Sequence, residues 1–319
     1  RYRKEATGGL SDTQLRDLEE RLTYLRELKD RQETILKSID EQGKLTTELK
    51  NAILCADTKT RLEDLYLPYK PKRRTKAQIA KEAGLEPLAL LLLENPTSEP
   101  EQSAKQYVNA DKGIADTKAA LEGARHILIE LFAENADLIA SLRDIFYKHG
   151  VIFSKVIDGK QAEGAKFSDY FDFNESIAKI PSHRLLAIFR ARNEHILQLQ
   201  INFHDEKLHA HCQQLIADAF GISLQADANH WIWQTIIWAW KVKLHLKLES
   251  DLMLDLKKRA DEEAINVFRD NLNNLLMAAP AGNQVVLGLD PGYRTGVKTV
   301  VIDGIGKQLA HTAIFPMHR

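Results

Sequence analysis

Four groups of residues in this chain have the types and spacing to do chemistry. In "VVLGLDPGYRTGVKTVVID", residues 285–303, a β-rich run delivers Asp290 onto Pro291-Gly292, and Thr295-Gly296 lead into a second β-rich run. A carboxylate at a strand end is a candidate metal holder for phosphodiester hydrolysis, but two-metal hydrolysis needs several carboxylates around ions roughly 4 Å apart. If 285–290 and 296–303 pair as a hairpin, Asp303, the next acid, lies about 20 Å away at ~3.3 Å per residue. Asp290 is therefore a lone catalytic candidate, whose partners would have to come from beyond residue 319.

The second group is the cationic run Lys70, Lys72, Arg73, Arg74 and Lys76, which contains no acid. Clustered Lys and Arg neutralise phosphates and supply the sequence-independent part of nucleic-acid binding. Tyr66 and Tyr69, just upstream, are candidate base-stacking rings. The bland alternative is a solvated loop or a set of ion-pair partners for the acidic helices nearby.

The third group, His204, His209, His211 and Cys212, fits no zinc spacing and reads as an exposed helical face. Fourth, Trp231, Trp233, Trp238 and Trp240 fall within ten residues. In a helix 231 and 238 share one face and 233 and 240 another, and an all-round apolar helix is normally buried, so these indoles are expected in the core. "DGIGKQ" at 303–308 lacks the spacer and the Ser/Thr of a phosphate loop and reads as a hairpin turn.

The elements that must carry these residues are mostly helical. Gly8-Gly9 precede "SDTQ", with Ser11 and Gln14 at capping-box spacing. Leu15, Leu18, Leu22, Leu25 and Leu28 then form one apolar stripe. A second helical pattern follows Thr46-Thr47. Pro68 and Pro71 break the chain, and "TKAQIAKEAGLEPLALLLLEN" has the outline of a helix-turn-helix about Gly84. Its second helix lacks the Arg, Lys, Asn or Gln that read base edges, so it is expected to be structural. Helices resume from Asp116 to Glu134 and from Ala136 to His149, with Gly150 as cap. Two strand-like pieces, "VIFSKVI" and "HILQLQINF", flank a helix start at Pro181-Ser182. Helical pattern then runs to Ala279, Pro280-Ala281-Gly282 acts as a hinge, and a β-meander follows.

Composition narrows the function classes. The 319 residues are 44% hydrophobic and 28% charged with net charge −1, so nucleic-acid binding has to come from local patches. Two cysteines, Cys55 and Cys212, exclude a disulfide framework and fit a reducing compartment. The apolar stretch "WIWQTIIWAW" is too short to span a bilayer.

Three blocks carry a resemblance: "RYRKEATGGLSDTQLRDLEERL", "LEDLYLPYKPKRRTKAQIAKEAGLEPLA" and "AAPAGNQVVLGLDPGYRTGVKTVVID". They closely resemble the Tex family of bacterial transcription accessory proteins, over essentially the whole chain. The resemblance implies a helical N-terminal region with a helix-turn-helix, then a YqgF-type domain of RNase H-like fold, with helix-hairpin-helix elements and an OB-type RNA-binding module further on. In RNase H-like nucleases an aspartate similar to Asp290 helps to hold catalytic metal; here Asp290, Gly292, Arg294, Thr295 and Gly296 would be that strand-turn motif, reused for binding. Ala191 and His195 stand where glycines are expected, and Asn273 where arginine is.

The expected fold is therefore mostly α: a multi-helical N-terminal region with a helix-turn-helix (1–100), a helical region with two short strands (101–203), a helical connector (204–280), and the first β-strands of an α/β RNase H-like domain (281–319). The expected function is transcription-linked, non-specific association with RNA or DNA in the cytoplasm, with no cofactor, no metal and no membrane. The alternatives are a metal-dependent nuclease of RuvC type and a helical docking module for RNA polymerase or the ribosome.

Overall fold

The short helix α1 (Arg3–Thr7) precedes α2 (Asp12–Glu41), which begins at the anticipated capping box. The Ser11 hydroxyl accepts from the Gln14 N–H at 3.2 Å, and the Gln14 side-chain oxygen accepts from the Ser11 N–H at 2.9 Å. The apolar stripe is only partly used. Leu28, Ile35 and Ile39 are buried, whereas Leu18, Leu22 and Leu25 are exposed. α3 (Thr47–Leu54) and α4 (Lys59–Tyr66) fold back on α2, and Ile53, Ala56, Leu62 and Tyr66 join its buried residues in a small core of their own.

The structure, a computed structural model, describes residues 3–71, 74–222, 230–279, 282–292 and 296–315. It falls into two compact units, Arg1–Asp261 and Glu262–Arg319. In the first, α5 (Lys76–Glu82) and α6 (Glu86–Glu94) are joined by a turn at Gly84 and, with α7 (Pro100–Ala104), pack on α8 (Thr117–Ala133). α6 turns Leu88, Ala89 and Leu92 inward, which makes it a core helix. α9 (Ala136–His149) ends at Gly150, but not in the left-handed conformation common at helix ends. Gly150 has φ −66°, and what demands glycine there is space: a Cβ would stand 2.4 Å from the Phe146 carbonyl oxygen.

β1 (Val151–Val156), β2 (Asp172–Ser176) and β3 (Leu197–Asn202) form an antiparallel sheet in the order β2-β1-β3, with α10 (Ser182–Asn193) between the last two in sequence. β1 and β3 are the two anticipated strands. β2, "DFNES", carries little β-branched or aromatic signal; its pairing with β1 makes it a strand. α11 (Glu206–Ala219), α12 (Trp231–Ala239), a π turn (Trp240–Leu244) and α13 (His245–Leu276) complete the helical part. One continuous core runs from Ala77 to Ala260 through both groups of helices and the sheet.

In the second unit β4 (Val286–Gly292), β5 (Gly296–Ile302) and β6 (Gln308–Ile314) form an antiparallel meander. Among the described residues no helix is long and apolar enough to cross a membrane.

Candidate nucleic-acid interface

The cationic run links the small α2–α4 core to the main one. α4 ends at Tyr66, and Pro71, which has no N–H to donate, directly follows Lys70. Thr75 restarts helix as the N-cap of α5, its hydroxyl accepting from the Gln78 N–H at 3.0 Å. Lys70, Arg74 and Lys76 are not buried; Lys72 and Arg73 lie outside the described residues. Arg74 is engaged by the end of α5, donating from Nη2 to Glu82 Oε2 at 2.6 Å. That bond, with a second from Gln78, holds the Glu82 carboxyl below the usual carboxylate range. Lys70 and Lys76 have no ion pair among the described residues.

The tertiary structure adds two lysines that sequence proximity does not show. A groove of about 580 Å³ beside the run is lined by Lys44 and Lys81 as well as Lys70, with Glu41, Glu130 and Glu134 on its walls. Its charge is therefore mixed. Tyr66 is not available to stack on a base: it is buried, its hydroxyl shares a 3.0 Å hydrogen bond with Ser38, and the Arg31 guanidinium lies 5.5 Å from its ring centre. Tyr69 packs against the same small core.

The histidine group also differs from the expected exposed face. Cys212 is fully buried, and His209 is half-buried, accepting at Nδ1 from Trp240 Nε1 at 3.1 Å. His204 and His211 are exposed. No three His, Cys, Asp or Glu residues among those described converge as a metal site. The tryptophans divide: Trp240 is fully buried, while Trp231, Trp233 and Trp238 are half-buried.

Asp290 does not end its strand. β4 continues through Pro291 to Gly292, with Pro291 opposite Val297 and Gly292 opposite Gly296. Proline is tolerated because β4 is an edge strand and needs no N–H there. Arg294 and Thr295 lie outside the described residues. Gly296, with φ 73°, is required: a Cβ would approach the Ile314 carbonyl oxygen to 2.7 Å. Asp290 is exposed opposite Lys298, and its groove is lined by Lys298 and His311 with no second carboxylate. Ile302 pairs with Val286, so Asp303 stands roughly 16 Å along the strand from Asp290. Asp303 instead builds the hairpin turn, its Oδ1 accepting from the Ile305 and Lys307 N–H groups at 3.0 and 2.8 Å.

These elements define a helical scaffold with a cationic run beside a mixed-charge groove, followed in sequence by a β-meander in which Asp290 shares its groove with no second carboxylate among the described residues. Family models match the chain in the same order: a Tex-like protein N-terminal domain at residues 1–40, a Tex central region-like segment at 95–268, and a Tex protein YqgF-like domain at 284–319. The chain belongs to the Tex family. It is 56% identical over 321 residues to "Protein YhgF" of Escherichia coli, covering 99% of this chain and 42% of that protein. It is 51% identical over 323 residues to "Transcriptional accessory protein Tex" of Neisseria gonorrhoeae, covering 100% of this chain and 42% of that protein. It is 29% identical over 330 residues to human "S1 RNA-binding domain-containing protein 1", covering 100% of this chain and 33% of that protein. The chain thus spans about two fifths of the bacterial relatives it matches.

Proposed function

We propose that this chain associates with RNA or DNA during transcription through the cationic segment Lys70–Lys76, gripping phosphates without reading base identity and without cutting the strand. The observation that carries the reading is the run itself, at a loop between two cores, where Lys70 and Lys76 are not engaged by acids of the described residues. Two relatives support it by name, one a transcriptional accessory protein and one an RNA-binding-domain protein. The acidic, leucine-rich α6 offers no side chain for base edges, which favours phosphate contact over operator reading.

The test is a salt titration of binding to RNA and DNA probes of unrelated sequence. Changing Lys72, Arg73 and Arg74 together to alanine should weaken all probes about equally. The slope of log affinity against log salt should flatten by roughly one for each phosphate no longer neutralised. Added Mg²⁺ should leave the probes intact. Unchanged affinity and slope in folded protein would overturn the reading and favour docking on RNA polymerase or the ribosome.

A further inference from the structure

The sheet of the first unit has one dry and one wet face. On the dry face Ile152, Ser154, Leu197 and Ile201 are buried. On the other, the register sets Phe153 of the central strand between Asn174 on β2 and Gln200 on β3. In the next row Lys155 stands between Asp172 and Gln198. All five polar residues are exposed, as a one-sided antiparallel sheet requires. Phe153 and, nearer the strand start, the buried Val151 break the pattern. Phe153 is a partly buried aromatic ring on the polar parity of the central strand and belongs to none of the buried clusters.

The surroundings of that ring are built. His204 lies 5.1 Å away, its ring tilted 72° to the phenyl, and its Nε2 shares a 3.2 Å hydrogen bond with Asn174 Oδ1. Imidazole, amide and phenyl are thus held as one unit. A groove of about 670 Å³ runs over Phe153, Lys155, Gln198 and Gln200 and on past Arg192 and His195. His195 is the one non-glycine described with positive φ, 57°.

We propose that this sheet face is a platform for single-stranded nucleic acid, on which an unpaired base stacks on Phe153 while the amides of Asn174, Gln198 and Gln200, each able to donate or accept, hydrogen-bond the edge of whichever base is presented. An aromatic ring on an open sheet, flanked by groups that both donate and accept, suits a splayed base and not a duplex, whose ring faces are hidden. A peptide strand suits the site less well. The outward N–H of Ile201 on the β3 edge already donates to Glu249 Oε1 at 2.9 Å, which caps the edge that an added strand would use. Lys155 and Arg192 share this groove with Asp172 and Glu249, so its formal charges balance and the face is expected to contribute stacking and hydrogen bonds with little salt dependence. The proposal rests on the nucleic-acid reading above but uses a different surface.

The experiment measures fluorescence anisotropy of a labelled single strand of about twelve nucleotides, within the span of such platforms, and of a duplex of the same length. Phe153→Ala should weaken single-strand binding about tenfold or more, with duplex affinity and salt slope unchanged. Phe153→Leu, which keeps bulk but cannot stack, should match Phe153→Ala, and Phe153→Tyr should restore binding. Single-strand affinity that is unchanged in Phe153→Ala or Phe153→Leu overturns the platform. So does equal loss on single strand and duplex. If the Lys72, Arg73 and Arg74 variant weakens binding while the Phe153 variants do not, the cationic loop stands and the platform falls. If the unaltered chain binds neither probe at low salt, both fall.

Discussion

At the scale of single residues, two positions carry a cost or a bias that can be measured. α10 ends in a Schellman arrangement, with the Ile196 N–H donating to the Ala191 carbonyl at 2.9 Å and the His195 N–H to the Arg192 carbonyl at 3.0 Å. That geometry places His195 in the left-handed region, where a Cβ crowds the following carbonyl. The expectation of glycine there has this physical cause. His195→Gly should stabilise the chain by about 1 kcal/mol in urea unfolding. His245 is buried among Phe146, Trp240 and His209, with its Nε2 3.3 Å from Asn202 Oδ1. Burial, and then the nearness of His209, push its imidazole down from 6.5 to about 4. The fold therefore favours the neutral ring. Its contribution is full above pH 6.5 and is lost as pH falls toward 4, by up to about 3 kcal/mol. Unfolding midpoints of the unaltered protein should drop more steeply between pH 7 and 4.5 than those of His245→Gln.

The helical run that begins at α12 shows what an element decides that its residues do not. The π turn Trp240–Leu244 inserts an extra residue into the helical ladder, and Trp240, Leu244 and His245 all come inward. Two of the other three indoles meet a polar neighbour. The Arg125 guanidinium of α8 lies 5.4 Å from the ring centre of Trp231 and 5.3 Å from that of Trp238, and its Nε donates to Thr235 Oγ1 at 3.3 Å. Helical spacing does put 231 and 238 on one face, but that face holds a cation. Trp240→Ala should cost about 3–5 kcal/mol, as a fully buried aromatic does. Trp238→Ala should cost only about 1–2 kcal/mol, chiefly from the cation–π interaction and partial burial. Equal losses in chemical denaturation would contradict this division.

Within the first unit, ion pairs join the α2–α4 core to the main one. Asp64 of α4, 3% exposed, accepts from Arg143 of α9 at 2.7 and 3.2 Å, and Lys247 of α13 stands 3.7 Å away. Asp251 lies 3.8 Å from the same Arg143 Nη2 that donates to Asp64 Oδ1. Burial lowers the Lys247 ammonium. The same desolvation acts on Arg143, but the hydrogen bonds and charge of Asp64 outweigh it and leave the guanidinium raised. Both cations lean chiefly on Asp64, with Asp251 as a second carboxylate near each. Asp64→Ala would remove the bonded partner of the buried pair and should cost about 3 kcal/mol, whereas an exposed pair such as Lys148–Asp144 should cost no more than about 1 kcal/mol. Limited proteolysis should then cut the Asp64→Ala protein first within 67–75, the loop that carries the cationic run, as docking of the small core loosens.

Local chemistry made much of this chain legible in sequence. The capping box of α2, the ends of α8 and α9, the strands β1 and β3, and the meander after the 280s all follow from caps, periodicity and turn residues acting within a few positions. So did the family, because its blocks are runs of adjacent residues. Tertiary structure decided whatever depends on partners far along the chain. Leu18, Leu22 and Leu25 follow the same period as Leu28, but of these four only Leu28 is buried in the core that α3 and α4 complete, so a regular stripe is buried along part of its length. β2 exists because β1 supplies the hydrogen bonds its own residues do not demand. Tyr66 left the set of stacking candidates because α2 brings Ser38 and Arg31 to it, and Phe153 is set between the amides of Asn174 and Gln200 only because β2 and β3 pair with its strand. Sequence period fixes the face on which a side chain emerges; only packing determines whether that face meets a core, a charge or water.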